Sequence, residues 1–121
     1  MNQLAAFLSL LAAHWLADFV LQTHWQAQNK SKSNVALFRH VLVYTAVLGA
    51  ASAAIFGPSI GWLGFVWLNF ALHFATDYCT SRLTSRLYTR GDWHNFFVVV
   101  GFDQLIHQAT LAATMWWLLS K

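Results

Sequence analysis

Residues 7–22 read FLSLLAAHWLADFVLQ, an apolar run of membrane grade that nevertheless carries His14 and Asp18 four residues apart. That spacing stacks two side chains on one face of an α-helix. Ionisable groups in so apolar a segment are costly, so they face a partner, a cavity or a metal. The same device recurs at His73/Asp77 and, in reverse order, at Asp103/His107. Three of the four acidic residues are used in this way, and the chain has no glutamate.

The surrounding composition points to lipid as the solvent. Of 121 residues, 58% are hydrophobic, 17% aromatic and only 9% charged, against roughly 25% charged in soluble domains. A soluble domain of this size could not cover that much apolar surface, so the lipid bilayer is the first expected partner. The net charge of +3 comes from dispersed basic residues, which excludes a nucleic-acid surface. The single cysteine, Cys79, allows neither an intrachain disulfide nor a cysteine-based zinc site. It is expected as a packing residue. No Lys or Arg precedes the first apolar stretch, so that stretch reads as a mature membrane helix and not as a cleaved signal.

About 20 residues span a hydrocarbon core, and the chain divides into an all-α, polytopic set of four such helices in one domain, residues 1–121. They run at about 2–22, 35–56, 60–88 and 93–119. Residues 23–34 read as a polar loop, Gly57-Pro58-Ser59 as a tight turn, and Arg90-Gly91-Asp92 as a break with Asp92 capping the last helix. Lys30, Lys32 and Arg39 flank the first loop, and Arg82, Arg86 and Arg90 the third, while Lys121 stands alone at the other end. The positive-inside rule then puts both basic loops in the cytoplasm and both termini outside. Up-down connectivity brings His14/Asp18, His40, His73/Asp77 and Asp103/His107 to one level near the cytoplasmic face. Asp103, for instance, lies about 15 Å into its helix at 1.5 Å per residue.

Agreement in depth is what scattered structural polar residues would lack. Four imidazoles (His14, His40, His73, His107) and three carboxylates (Asp18, Asp77, Asp103) therefore form the expected metal set. Mixed His/Asp donors suit a divalent transition metal, zinc first and iron or manganese after it, as one ion or two with a bridging carboxylate. The polar stripes add Gln22, Tyr44, Asn69 and Gln104 as orienting or substrate groups, with Lys30 and Arg39 at the cytoplasmic edge. His24 and His94 fall in loop or interfacial positions and are expected at the surface.

The motif His14-x-x-x-Asp18-Phe19-x-Leu21-Gln22, the following Lys30, and Asp103-Gln104-x-x-His107 resemble the small bacterial and phage membrane family known as domain of unknown function 3307. The resemblance covers nearly the whole chain. It implies a compact multi-helix membrane protein and carries no activity with it; the bacterial inner membrane is the expected location.

The residues themselves favour a membrane-embedded, metal-dependent hydrolase. The histidines would be ligands, and Asp18, Asp77 and Asp103 would share ligation, bridging and general-base duty. The basic edge would attract an anionic lipid headgroup, a phospholipid or polyprenyl phosphate. Two other classes stay open. One is a transition-metal transporter or binding protein, which needs a homo-oligomer because the outer halves of the middle helices are apolar. The other is a non-enzymatic, phage-type accessory protein whose polar core only fixes helix pairing.

Overall fold

Each helix begins at a side chain that can satisfy free backbone N–H groups. Asn2 accepts from the Ala5 N–H at 2.8 Å and starts α1, Gln3–Trp15. Ser33 starts α3, Asn34–Phe56, and Ser59 starts α4, Ile60–Thr89. Asp92 accepts from the Asn95 N–H at 3.2 Å and starts α5, Trp93–Leu119. The turns before α4 and α5 need left-handed backbone, which glycine supplies at Gly57 (φ 77°) and Gly91 (φ 70°). The computed structural model describes residues 1–121 and contains only helices and turns.

Two expectations about the first third of the chain are corrected. The first helix is not a regular α-helix to residue 22. From Leu16 to Val20 it widens into a π turn, closed by the Leu21 N–H donating to the Leu16 carbonyl at 2.9 Å. Nor is 23–34 simply a loop, since it holds a short helix, α2, His24–Asn29. There the Thr23 hydroxyl accepts from the Gln26 N–H at 3.1 Å, and the Gln26 side chain accepts from the Thr23 N–H at 3.0 Å. This reciprocal pair is a capping box, and it stabilises a helix too short and polar to show a hydrophobic period.

The four long helices pack in a ring, with α1 against α3 and α5, and α4 against α3 and α5; α2 lies on α3. One end of the interior is apolar: Leu10, Tyr44, Leu48, Phe65 and Leu111 are buried together with Ala6, Ala17 and Met115. Next to this plug the Asn69 amide donates to Thr114 Oγ1 at 2.9 Å, tying α4 to α5. Beyond that layer the interior is ionisable. Of the 23 buried residues, eleven are polar or charged, whereas Trp67, Phe97 and Trp116 lie on the outside. A polar inside and an apolar outside is the distribution expected in lipid.

Gln3–Val20, Asn34–Phe56 and Trp93–Leu119 are each long and apolar enough to cross a membrane. Helix α4 is the longest at 30 residues, but Asn69, His73 and Asp77 and a hydrophilic last third lower its hydropathy. Cys79, expected in the packing, is instead exposed on α4.

Candidate metal centre

Helical spacing brings the ionisable residues to one place, but it does not choose their partners. The four-apart contacts are the longer ones: His14 Nε2 to Asp18 at 3.7 Å, His73 Nε2 to Asp77 at 3.6 Å and His107 Nε2 to Asp103 at 3.4 Å. The shorter contacts run between elements. Asp18 reaches His40 Nε2 at 3.0 Å and His73 Nε2 at 3.3 Å. Asp77 reaches His107 Nε2 at 3.0 Å through one oxygen and His40 Nε2 at 3.3 Å through the other. Asp18 lies within the π turn, a winding common at functional sites.

Two groups of atoms lie close enough to share an ion. Asp18, His40, His73 and Asp77 form one, and Asp18, Asp103 and His107 the other, each with its donor atoms within 4.8 Å of one another. In the first group His40 Nε2 and His73 Nε2 are 3.3 Å apart, and the four distances from these nitrogens to Asp18 Oδ1 and Asp77 Oδ2 run from 3.0 to 3.6 Å. All four residues of this group are buried. Asp18 is common to both groups, as a bridging carboxylate would be.

His14 belongs to neither group. Its Nε2 faces Gln104 Oε1 at 3.2 Å, while the Gln104 amide donates to Asp18 Oδ2 at 3.2 Å and Asp103 Oδ2 at 3.0 Å. Gln104 therefore joins α1 to two of the carboxylates. Tyr44 stacks on His73 at 3.8 Å between ring centroids, and His107 stacks nearby at 4.1 Å. The Nδ1 atoms of His14, His40 and His73 are buried without a partner, so each of these rings makes its polar contacts through Nε2 alone.

Lys30 reaches in from the α2–α3 connection, and its ammonium donates to Asp77 Oδ2 at 2.9 Å. Burial opposes its charge, but Asp77, with Asp18 and Asp103 behind it, outweighs that and raises the Lys30 pKa above the ordinary lysine value. Three carboxylates against this one ammonium leave two negative charges in a low-dielectric interior. A divalent cation would balance them, as would protons on two imidazoles.

The cluster is reached from one side through a cavity of about 260 Å³. Asp18, Asp103 and Gln104 form its inner wall, and Gln22 and Lys30 its sides. Arg39 and Asn69, grouped with this set from the sequence, lie apart from it. The Arg39 guanidinium sits over the Trp25 ring at 5.6 Å, and Asn69 bonds to Phe65 and Thr114. His24 and His94 are exposed as expected. Sequence reasoning missed Thr80, whose hydroxyl donates to Asp103, and Ser81, buried beside the cavity. A signal for Ser81 was present: it continues the Asn69, His73, Asp77 series at the same spacing of four.

These residues lie within one recognised family. The family described as Protein of unknown function (DUF3307) matches residues 6–121. The chain belongs to that family. Every clustered residue falls inside the matched region, in keeping with the resemblance carried by the His14, Asp18 and Gln104 motifs. No curated protein and no solved structure matches the chain.

Proposed function

We propose that the protein is a membrane-embedded, metal-dependent hydrolase. In this reading α1, α3, α4 and α5 all cross the bacterial inner membrane up and down, and the basic connections face the cytoplasm. The cluster then opens toward the cytoplasmic leaflet. The observation that carries the proposal is a buried, convergent donor set with one polar cavity against it and an apolar plug behind it.

Zinc is the metal we assign to the first group, because mixed imidazole and carboxylate donors suit it; the donor spacings of 3.0 to 3.6 Å are compatible with ligation of one such ion. His40, His73, Asp18 and Asp77 would hold this ion, with His107 and Asp103 offering a second position that shares Asp18. A divalent metal there supplies Lewis acidity and a water of lowered pKa.

The chain's residues divide the remaining work. Asp103 is the least buried of the three carboxylates and faces the cavity, so it is placed to take the proton from attacking water and return it to the leaving group. Gln104 and Thr80 hold that carboxylate in place. Transport by a single chain is disfavoured, because Leu10, Tyr44, Leu48, Phe65 and Leu111 close the far end. Elemental analysis of the purified protein, paired with phosphate or fatty-acid release from bilayer lipids, tests the reading. Absence of stoichiometric transition metal after growth in zinc, iron and manganese supplements would sink it.

A further inference from the structure

A second, larger cavity adjoins the one at the metal centre. Its volume is about 710 Å³, and it shares Lys30, Ser81, Thr84 and Phe96 with the smaller cavity. These shared residues form a common wall, so the outer cavity, near the end of α4, lies next to the one lined by Asp18 and Asp103. The lining of the outer part holds Lys30 and Lys32 and no carboxylate; Lys30 is paired with Asp77, which leaves the Lys32 ammonium for a ligand. Hydroxyls of Ser81, Thr84 and Ser85 line the α4 side.

Ser81 supplies the independent sign of a ligand. It is only 8% exposed, the residue lines both cavities, and its Oγ is buried just behind their wall with no hydrogen-bond partner. A buried hydroxyl left without a partner costs about 1–3 kcal/mol, so such groups are normally satisfied. Gln22 Oε1, on the wall of the inner cavity, is likewise buried and unpartnered.

We infer that the outer cavity binds the phosphoryl group of a phosphate ester, with Lys32 supplying charge and Ser81 and Ser85 supplying hydroxyl donors. An ammonium with several hydroxyls along the same wall suits a multi-oxygen anion better than a single carboxylate. As a substrate subsite this rests on the hydrolase reading, since it places the ester beside the metal centre. As an anion pocket it stands on its own geometry.

The test is calorimetric titration of the purified full-length chain in nanodiscs with inorganic phosphate, glycerol phosphate and acetate. Elemental analysis of the same samples runs alongside. Phosphate should bind, acetate at least tenfold more weakly, and Ser81→Ala and Lys32→Gln should each weaken phosphate about fivefold or more while leaving metal content unchanged. Lys32 is exposed, so its variant keeps the test alive if Ser81→Ala does not fold. Nanodiscs carrying phosphatidic acid, set against soluble glycerol phosphate, distinguish a lipid headgroup from a free phosphoester, and preference for either supports the pocket. Unchanged phosphate affinity in both variants, or acetate binding as tightly as phosphate, overturns it. Phosphate binding without metal would leave the pocket standing and remove the hydrolase reading, whereas metal with variant-insensitive phosphate would do the reverse.

Discussion

His40 Nε2 and His73 Nε2 lie 3.3 Å apart, although the residues are 33 positions apart in sequence and sit on different helices. Two neutral imidazoles cannot both present lone pairs to each other at that distance. Either a proton lies between the rings, or each ring turns an Nε2–H toward a flanking carboxylate, or both nitrogens face a shared cation. Asp18 and Asp77 flank the pair within 3.0 to 3.6 Å. That negative surround favours either positive occupant and makes the choice a matter for measurement.

The metal alternative predicts a loss of bound ion when either ring is removed. His40→Ala and His73→Ala should each lower metal affinity at least tenfold, because three donors remain where four converged. His14→Ala should retain the metal, since its Nε2 faces Gln104 and not the donor groups. Inductively coupled plasma analysis of the three variants reads this directly. Equal metal content in all of them would favour the shared-proton arrangement.

On the proposed hydrolase reading, removing charge at Asp103 should separate catalysis from binding. Asp103→Asn keeps the shape but loses the base and one of the two hydrogen bonds accepted from Gln104 and Thr80, so turnover should fall about 10²–10⁴-fold with the first metal position still filled. Asp77→Asn should instead lose metal, because Asp77 meets His40, His73 and His107 together. If Asp103→Asn kept full turnover, the base would have to be assigned elsewhere.

How much of this was legible in the sequence depends on the type of information. The stripe of His14, Asp18, His73, Asp77, Asp103 and His107 was visible because spacing along one helix is local. Partner choice was not, because Asp18–His40 and Asp77–His107 depend on how helices rotate against each other. The π turn gave no warning either: Leu16-Ala17-Asp18-Phe19-Val20 has no proline or glycine to mark it. Lys30 was noticed as a charge at the membrane edge, but its 47-residue link to Asp77 follows from α2, a helix of six residues that periodicity cannot detect.

That link makes a stability prediction. Lys30→Met should destabilise the metal-free protein by about 3 kcal/mol, the low end for breaking a buried ion pair, because the lysine side chain is still 19% exposed. The pH dependence has a definite sign. The folded-state pKa of Lys30 is raised above 10.5, so its contribution is complete below pH 10.5 and fades as pH climbs through the folded value. Thermal unfolding in detergent at pH 7 and pH 11 should therefore show a larger gap between wild type and variant at pH 7. A gap of the same size at both would remove Lys30 as a charged partner.

Two glycines give a packing prediction that is independent of the metal. A Cβ on Gly64 would come within 2.8 Å of the Trp117 ring, whereas one on Gly101 would meet nothing within 4 Å. Gly64 therefore marks the close approach of α4 to α5, as small residues do between membrane helices. Trp117 has a rigid ring packed against the apolar plug, so it can yield only by separating the helices. Gly64→Val should cost about 1–3 kcal/mol through overpacking. Gly101→Ala should be neutral or gain about 0.5–1 kcal/mol from reduced backbone freedom in the unfolded chain. Melting temperatures of the two variants against wild type check the pair, and a Gly64→Val protein as stable as Gly101→Ala would show that the α4–α5 contact is looser than drawn.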